Sequence, residues 1–163
     1  MKTKVLSLLV DNTAGVLSRV SGMFSRRGYN IDSLSVGVTE DPKISRMTVV
    51  VSGDDKILTQ IKSQLSKLVD VRSIIELKDG DSVTRELVLL KIKADANERQ
   101  QIIAVANVYR ASIVDVSPES IMIEITGNNN KVEAFTSLLE GFEIQEIVRT
   151  GVTGLVRGRA EAE

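Results

Sequence analysis

The 163-residue sequence predicts an α+β protein made of two βαββαβ units. Three observations lead there. Apolar spacing alternates between a two-residue and a 3.6-residue period, in the order strand, helix, strand, strand, helix, strand, and this order closes by Leu77. A polar, glycine-containing stretch follows, Lys78-Asp79-Gly80-Asp81-Ser82, and after it the same order starts again. The halves share an order of elements but little residue identity, which marks a structural rather than a sequence repeat. The order is the split βαβ arrangement of ferredoxin-like domains.

Residues 4–10 form a short apolar run with Leu6, Leu8 and Val10 on one face and Val5 and Leu9 on the other, the pattern of a strand covered on both sides. Asp11-Asn12-Thr13-Ala14-Gly15 breaks it. From Val16 the period changes: Val16, Leu17, Val20, Met23 and Phe24 make one stripe of an amphipathic helix, with Arg19, Ser21, Ser25 and Arg26 away from it. Gly28 stands where a left-handed residue would stop that helix. Leu34, Val36 and Val38 then alternate with Ser33, Ser35 and Gly37, and Glu40-Asp41-Pro42-Lys43 turns the chain. Met47, Val49 and Val51 alternate with Thr48, Val50 and Ser52. Gly53-Asp54-Asp55 supplies a break and a candidate N-cap for a second helix carrying Ile57, Leu58, Ile61 and Leu65. Residues 70–77 close the unit as a strand.

After the linker, residues 86–93 read as a strand and 97–108 as a helix with Ile102, Val105 and Ala106 inward. Residues 111–116 form a strand and Ser117-Pro118 a turn. Ile121, Ile123 and Ile125 alternate in the next strand. Gly127-Asn128-Asn129-Asn130 opens a helix with Val132, Phe135, Leu138 and Leu139 along one face, and residues 142–148 form the last strand. The expected domains are therefore 1–78 and 83–150, joined by a linker at 79–82. A tail at 151–163 carries glycines at 151, 154 and 158 and no periodicity, and is expected to be mobile or dependent on a partner. A compact chain of this mass buries about 70% of its unfolded surface, two separate halves only about 62% each, so oligomerisation is expected.

Composition narrows the chemistry. The chain has no His, Cys or Trp, so it holds no disulfide framework, thiolate nucleophile, Cys/His zinc site or Ser-His-Asp triad. Lys and Arg number 21 against 22 Asp and Glu, a balance that argues against generic nucleic-acid binding. No apolar run reaches the roughly 20 residues of a membrane span, and the amino terminus resembles neither a signal nor a transit peptide, so a cytoplasmic protein is expected. The acid pairs Glu40/Asp41, Asp54/Asp55 and Asp79/Asp81 all fall at turns, where carboxylates serve caps and solvent. Gly151-Val152-Thr153-Gly154 does not lie between a strand and a helix, as a dinucleotide loop must. Acylphosphatases share the element order but hold phosphate with an Arg in the first loop, where this chain offers Asp11 and no cation. RNA-recognition modules stack bases on strand aromatics. Here Ser45-Arg46-Met47-Thr48-Val49-Val50-Val51 has none, and Phe24, Tyr29, Tyr109, Phe135 and Phe142 fall on helices, at helix ends or at a strand start. No catalytic constellation and no metal set remain.

The loop between the first strand and first helix is the candidate site. A helix N-terminus presents unpaired N–H groups and partial positive charge, a seat for a carboxylate. Gly15, placed in the first turn, lets a ligand or another backbone come close. Asn12 can offer a carbonyl to an ammonium and an N–H₂ to a carboxylate, the two ends of a zwitterionic amino acid. Asn30, opening the second strand, joins it only if chain reversal brings it there. The spacing equally allows Asn12 or Thr13 to be an ordinary N-cap and Asn30 an ordinary turn residue.

The run Asp11-Asn12-Thr13-Ala14-Gly15-Val16-Leu17-Ser18-Arg19-Val20, followed by Phe24-Ser25-Arg26-Arg27-Gly28-Tyr29-Asn30-Ile31, resembles the N-terminal ACT domain of the acetolactate synthase (acetohydroxyacid synthase) small regulatory subunits. Ser45-Arg46-Met47-Thr48, Gln64-Leu65-Ser66-Lys67-Leu68-Val69-Asp70-Val71, Arg85-Glu86-Leu87 and Gly151-Val152-Thr153-Gly154-Leu155-Val156-Arg157-Gly158 extend the resemblance over nearly the whole chain. It implies an N-terminal ACT domain and a C-terminal ACT-like domain in a non-catalytic subunit. Such a subunit activates a large catalytic subunit and confers feedback inhibition by valine, sometimes leucine or isoleucine. It implies no cofactor in this chain, with thiamine diphosphate, Mg and FAD on the large subunit. The effector would bind where two ACT domains meet in a homodimer, at Asn12, Ala14, Gly15, Val16, Asn30 and Ile31. In that site backbone N–H groups around residues 14–16 hold its carboxylate, Asn12 and Asn30 hold its ammonium, and Val16 with Ile31 bounds an aliphatic pocket. Ala94-Asp95-Ala96-Asn97, the matching loop of the second half, lacks the Asn-x-x-Gly spacing, so no effector site is expected there. A free-standing amino-acid-sensing ACT protein is the alternative from another class, and an independent enzyme a distant third.

Overall fold

The computed structural model describes residues 1–158. Its first strands and helices are β1 (Lys2–Asp11), α1 (Val16–Arg26), β2 (Ile31–Val38), β3 (Ile44–Gly53), α2 (Asp55–Ser66) and β4 (Val71–Glu76). There follow β5 (Ser82–Lys93), α3 (Ala96–Val108), β6 (Ser112–Val116), β7 (Ser120–Gly127), α4 (Asn129–Leu138), β8 (Glu143–Arg149) and β9 (Thr153–Val156). The βαββαβ order thus occurs twice, in antiparallel sheets ordered β2-β3-β1-β4 and β6-β7-β5-β8, as the periodicity predicts.

Alternation places the core in the first unit. Leu6, Leu8 and Val10 of β1 and Met47, Val49 and Val51 of β3 share one face of the sheet and are buried. The stripes Val16, Val20, Met23 and Phe24 of α1 and Leu58, Ile61 and Leu65 of α2 complete the same cluster. Helix α1 ends as Gly28 demands. Gly28 takes φ +70°, its N–H donates to Ser25 O, and the Tyr29 N–H reaches back to Phe24 O. The Tyr29 ring then packs edge-on against Phe24 with centroids 6.5 Å apart, the apolar contact that accompanies this motif. In the second unit Val88, Leu90, Ile92, Ile121, Ile123 and Ile125 face Ile102, Ala106, Val132, Phe135 and Leu139. Helix α3 closes with the same pair of bonds, but its left-handed residue is Arg110, φ +55°.

Several expectations need correction. Leu17 and Leu138 belong to helical apolar stripes by spacing, yet are 49% and 54% exposed, while Val16, Val20, Met23 and Phe24 of α1 and Val132 and Phe135 of α4 are the residues buried. Val36 and Val38 are exposed on β2, an edge strand with no neighbour on its outer side within the sheet. The tail is not aperiodic chain throughout: residues 153–156 form β9, which pairs with β5. Residues 159–163 of the expected tail lie outside the described residues.

The β9 segment belongs to the first compact unit, Met1–Thr84 with residues 152–158, while Arg85–Gly151 forms the second. The second unit is therefore an insert: the chain leaves the first unit after Thr84 and re-enters it at Val152. Two serines of β2 receive it. Val152 N–H donates to Ser33 Oγ at 2.9 Å, and Ser35 Oγ donates to Val152 O at 2.9 Å. Arg157 N–H donates to Asp81 O at 2.8 Å. Between these points Gly154 lies so close to the start of β5 that a Cβ there would stand 2.6 Å from Val83 O. Gly154→Ala is expected to cost about 1–3 kcal/mol by urea unfolding, since backbone must move to admit the methyl. Gly141→Ala, whose Cβ would meet nothing within 4 Å, is expected to stay within about 0.5 kcal/mol of the parent.

Candidate functional site

The loop after β1 is held from two sides. Asp11 N–H donates to Asp70 O at 3.0 Å, and the Asp11 carboxylate accepts from Arg72 Nε at 2.5 Å, which ties the loop to the start of β4. Asn12 N–H donates to Lys43 O at 2.8 Å and its side-chain Nδ2 donates to Pro42 O at 2.9 Å, which ties it to the β2–β3 turn. Asn12 is therefore not an N-cap. Its Nδ2 is spent on the turn, and its Oδ1 accepts no hydrogen bond among the described residues.

The N-cap of α1 is Gly15 itself, at φ +86° and with no side-chain bond to the helix, rather than a residue of the first turn. Arg19 N–H to Gly15 O, 3.0 Å, is the first bond of the helix, so the amides before it have no intrahelical acceptor. The first turn contains no acid. The other helices differ. Asp54 accepts from Ile57 N–H at 2.8 Å and Asn128 from Lys131 N–H at 2.9 Å. Asp95 and Glu98 form a reciprocal capping box on α3. Among the helices of the described residues α1 alone has no side-chain cap. The positive end of its dipole lies beside the exposed residues Asn12, Thr13 and Ala14. The matching terminus in the second unit is already filled by the protein's own carboxylates.

The remaining candidate residues fall into two groups. Val16 follows Gly15, but it is buried in the domain core and cannot offer its side chain to a ligand as the resemblance implies; the exposed apolar neighbour is Leu17. Asn30 Nδ2 donates to Asp32 Oδ1 at 2.7 Å, and Asp32 in turn accepts from Ser52 Oγ. Ile31 is half-buried at the start of β2. Within one chain these two do not meet the loop. On the shared strand β3, Ile31 lies opposite Val51 while Asp11 lies opposite Ile44, seven residues away, which is about 24 Å of extended strand. Asn12, Ala14, Gly15 and Val16 gather at one end of the sheet, Asn30 and Ile31 at the other.

One cation beside the loop was not singled out by spacing. Arg19 donates through Nε to Asp70 Oδ2 at 2.5 Å, and its Nη1 lies 2.9 Å from where a Cβ on Gly15 would be. The hydrogen bond to Asp70 raises the pKa of its guanidinium, against a smaller opposing effect of desolvation, so it stays charged across the neutral range. The available signal was its place four residues after Gly15, since helical side chains lean toward the N-terminus. Among the described residues no three His, Cys, Asp or Glu side chains gather to hold a metal ion. No helix there is long and apolar enough to cross a membrane.

A family model described as an AHAS small subunit-like ACT domain matches residues 6–73, and one described as the small subunit of acetolactate synthase matches residues 85–158. The chain is 52% identical over 157 residues to the acetolactate synthase small subunit of Mycobacterium bovis, covering 96% of this chain and 94% of that one. It is 46% identical to the probable acetolactate synthase small subunit of Methanothermobacter thermautotrophicus over the same shares of both chains. The crystal structure of the acetolactate synthase small subunit from Thermotoga maritima superposes with a TM-score of 0.88 at 40% identity, covering 98% of this chain and all of that one.

The contrast between helix ends can be tested by unfolding. Asp95→Ala is expected to cost about 0.5–2 kcal/mol, the loss of a working cap. Thr13→Ala, which removes no cap from α1, is expected to change stability by less than about 0.5 kcal/mol.

Proposed function

The chain belongs to the family of acetolactate synthase small subunits, and from that premise we propose that it activates the large catalytic subunit and makes it subject to feedback inhibition by a branched-chain amino acid, valine foremost. It is the regulatory subunit; catalysis lies in the large one. Thiamine diphosphate, Mg and FAD belong on this reading to the large subunit, in a cytoplasmic complex.

The observation that carries the reading is the uncapped, pinned N-terminus of α1. An α-carboxylate fits its free N–H groups around Ala14, Gly15 and Val16, and an ammonium fits the open Oδ1 of Asn12. On this reading the ammonium's second acceptor is Asn30 of a second copy, an assignment that the sheet register supports. Val38, at the far end of β2 from Ile31, pairs with Ser45 and so lies level with the Asp11 end of β1. β2 is an edge strand, has no charged residue between Ser33 and Val38, and exposes Val36 and Val38. Antiparallel pairing of β2 with its two-fold mate would bring Asn30 and Ile31 of a second copy to the loop of the first. The site on this reading exists only in the homodimer, with Ile31 and the exposed part of Leu17 available to an aliphatic side chain.

A ligand shifts an equilibrium only by its differential affinity for the two states. Effector must therefore favour a dimer arrangement that supports the active large subunit less well, and the two must weaken each other's binding by one shared factor. Measured by isothermal titration, valine affinity is expected to fall when large subunit is present; equal affinity in both conditions would refute the coupling. One methylene is worth only about 1–3 kcal/mol in such a pocket, so leucine and isoleucine are expected to bind within about two orders of magnitude of valine. Asn12→Ala is expected to weaken valine about tenfold or more, as loss of a hydrogen bond to a charged group does. Gly15→Asp, which puts a carboxylate where the ligand's would sit, is expected to abolish valine inhibition. Both variants should remain dimeric and still activate the large subunit; retained valine inhibition would remove the loop from the site.

A further inference from the structure

Arg19 stands where a cation should not be without a reason. It occupies the fourth position of α1, close to the positive end of the helix dipole, where a carboxylate is favoured and a guanidinium opposed. Its side chain nevertheless folds back along the helix until Nη1 lies 2.9 Å from where a Cβ on Gly15 would be, so a side chain at position 15 would require the guanidinium to shift. Asp70 holds it there. The Asp70 carboxylate, 11% exposed, takes Nε, and the Asp70 carbonyl oxygen takes the Asp11 N–H, so one residue fixes both the guanidinium and the end of β1. A guanidinium has five N–H donors in a planar fork, and only Nε is engaged among the described residues. The side chain is half exposed, so the remaining donors reach solvent beside the free amides of the helix end.

We infer that Arg19 binds the carboxylate of the effector, completing the seat formed by the amides around Gly15, with Asp70 as the residue that positions it. The inference rests on the effector reading of the loop and adds to it a specific demand: the ligand must carry a free α-carboxylate. A guanidinium fork matches two carboxylate oxygens in a way an ammonium does not. The loop then selects free amino acids over their amides, esters and internal residues of peptides. The pair with Asp70 also has a bland explanation, a surface tie between α1 and β4, and ligand chemistry separates the two.

Valine and valinamide, which keeps the side chain and ammonium but lacks the carboxylate, would be titrated calorimetrically into the full-length protein and into Arg19→Gln and Arg19→Lys. The parent is expected to prefer valine over valinamide. Arg19→Gln is expected to weaken valine tenfold or more and to leave valinamide within twofold, erasing most of that preference, while Arg19→Lys retains part of it. If Arg19→Gln binds valine as the parent does, or weakens both ligands by the same factor, Arg19 does not contact the carboxylate, although the loop remains the effector site. If the parent binds neither ligand, the effector reading fails and this inference with it. Should Arg19→Gln not fold because Asp70 is left unpaired, Arg19→Gln combined with Asp70→Asn removes both charges and carries the same expectations.

Discussion

The backbone bonds at the end of β1 are the constraint on which the first unit's chemistry depends. Asp11 is bonded to Asp70 and Asn12 to Lys43, so the loop cannot relax toward the helix it precedes. A freer loop could swing Asn12 or Thr13 onto the first amides of α1 and cap them, as Asp54, Asp95 and Asn128 do elsewhere in the chain. With Asn12 committed to the turn at Pro42 and Gly15 in a left-handed conformation at the cap position, those amides receive no side-chain cap. The helix gives up a cap worth about 1 kcal/mol in isolation. In exchange the fold acquires a preorganised cluster of donors.

The two units differ at this helix end. Both have a helix in the same place in the same order of elements, yet α3 begins with Asp95 and Glu98 in mutual contact with the backbone, and α1 begins with glycine. The difference lies in four residues of sequence. At the other ends of the same helices the contrast runs the opposite way. Gly28 takes the left-handed position after α1 without strain, whereas Arg110 takes it after α3 with a Cβ to accommodate.

Strand and helix order was legible because period and burial are local properties: Met47, Val49 and Val51, or Ile121, Ile123 and Ile125, can alternate only one way on a half-buried sheet. Burial of individual apolar residues was less so. Leu17 and Leu138 fall on apolar stripes by spacing, but whether a residue on a stripe is covered is decided by elements distant in sequence, and both are exposed. Strand β9 was invisible for the same reason, since its four residues show no alternation and its structure comes from β5 and from the hydroxyls of Ser33 and Ser35. In the candidate site, Asn12 and Gly15 could be named from spacing because loop and helix adjoin. Arg19 could not be given a role, because its partner Asp70 lies on the other side of the domain sequence and the meeting exists only in three dimensions. Nor could spacing say that Asn30 lies a sheet's length from Asn12 in its own chain.

The return of the chain at Val152 also bears on how the protein is made. Translation proceeds from the amino terminus at about 5–20 residues per second. The residues of β1–β4 are thus made before residues 85–151 exist, but the serines that receive Val152, and the edge of β5 that receives β9, stay unmatched until the insert has been synthesised. For a span on the order of several seconds the first unit waits for residues 152–156, and a ribosome that stalls within the insert leaves that unit without its last strand.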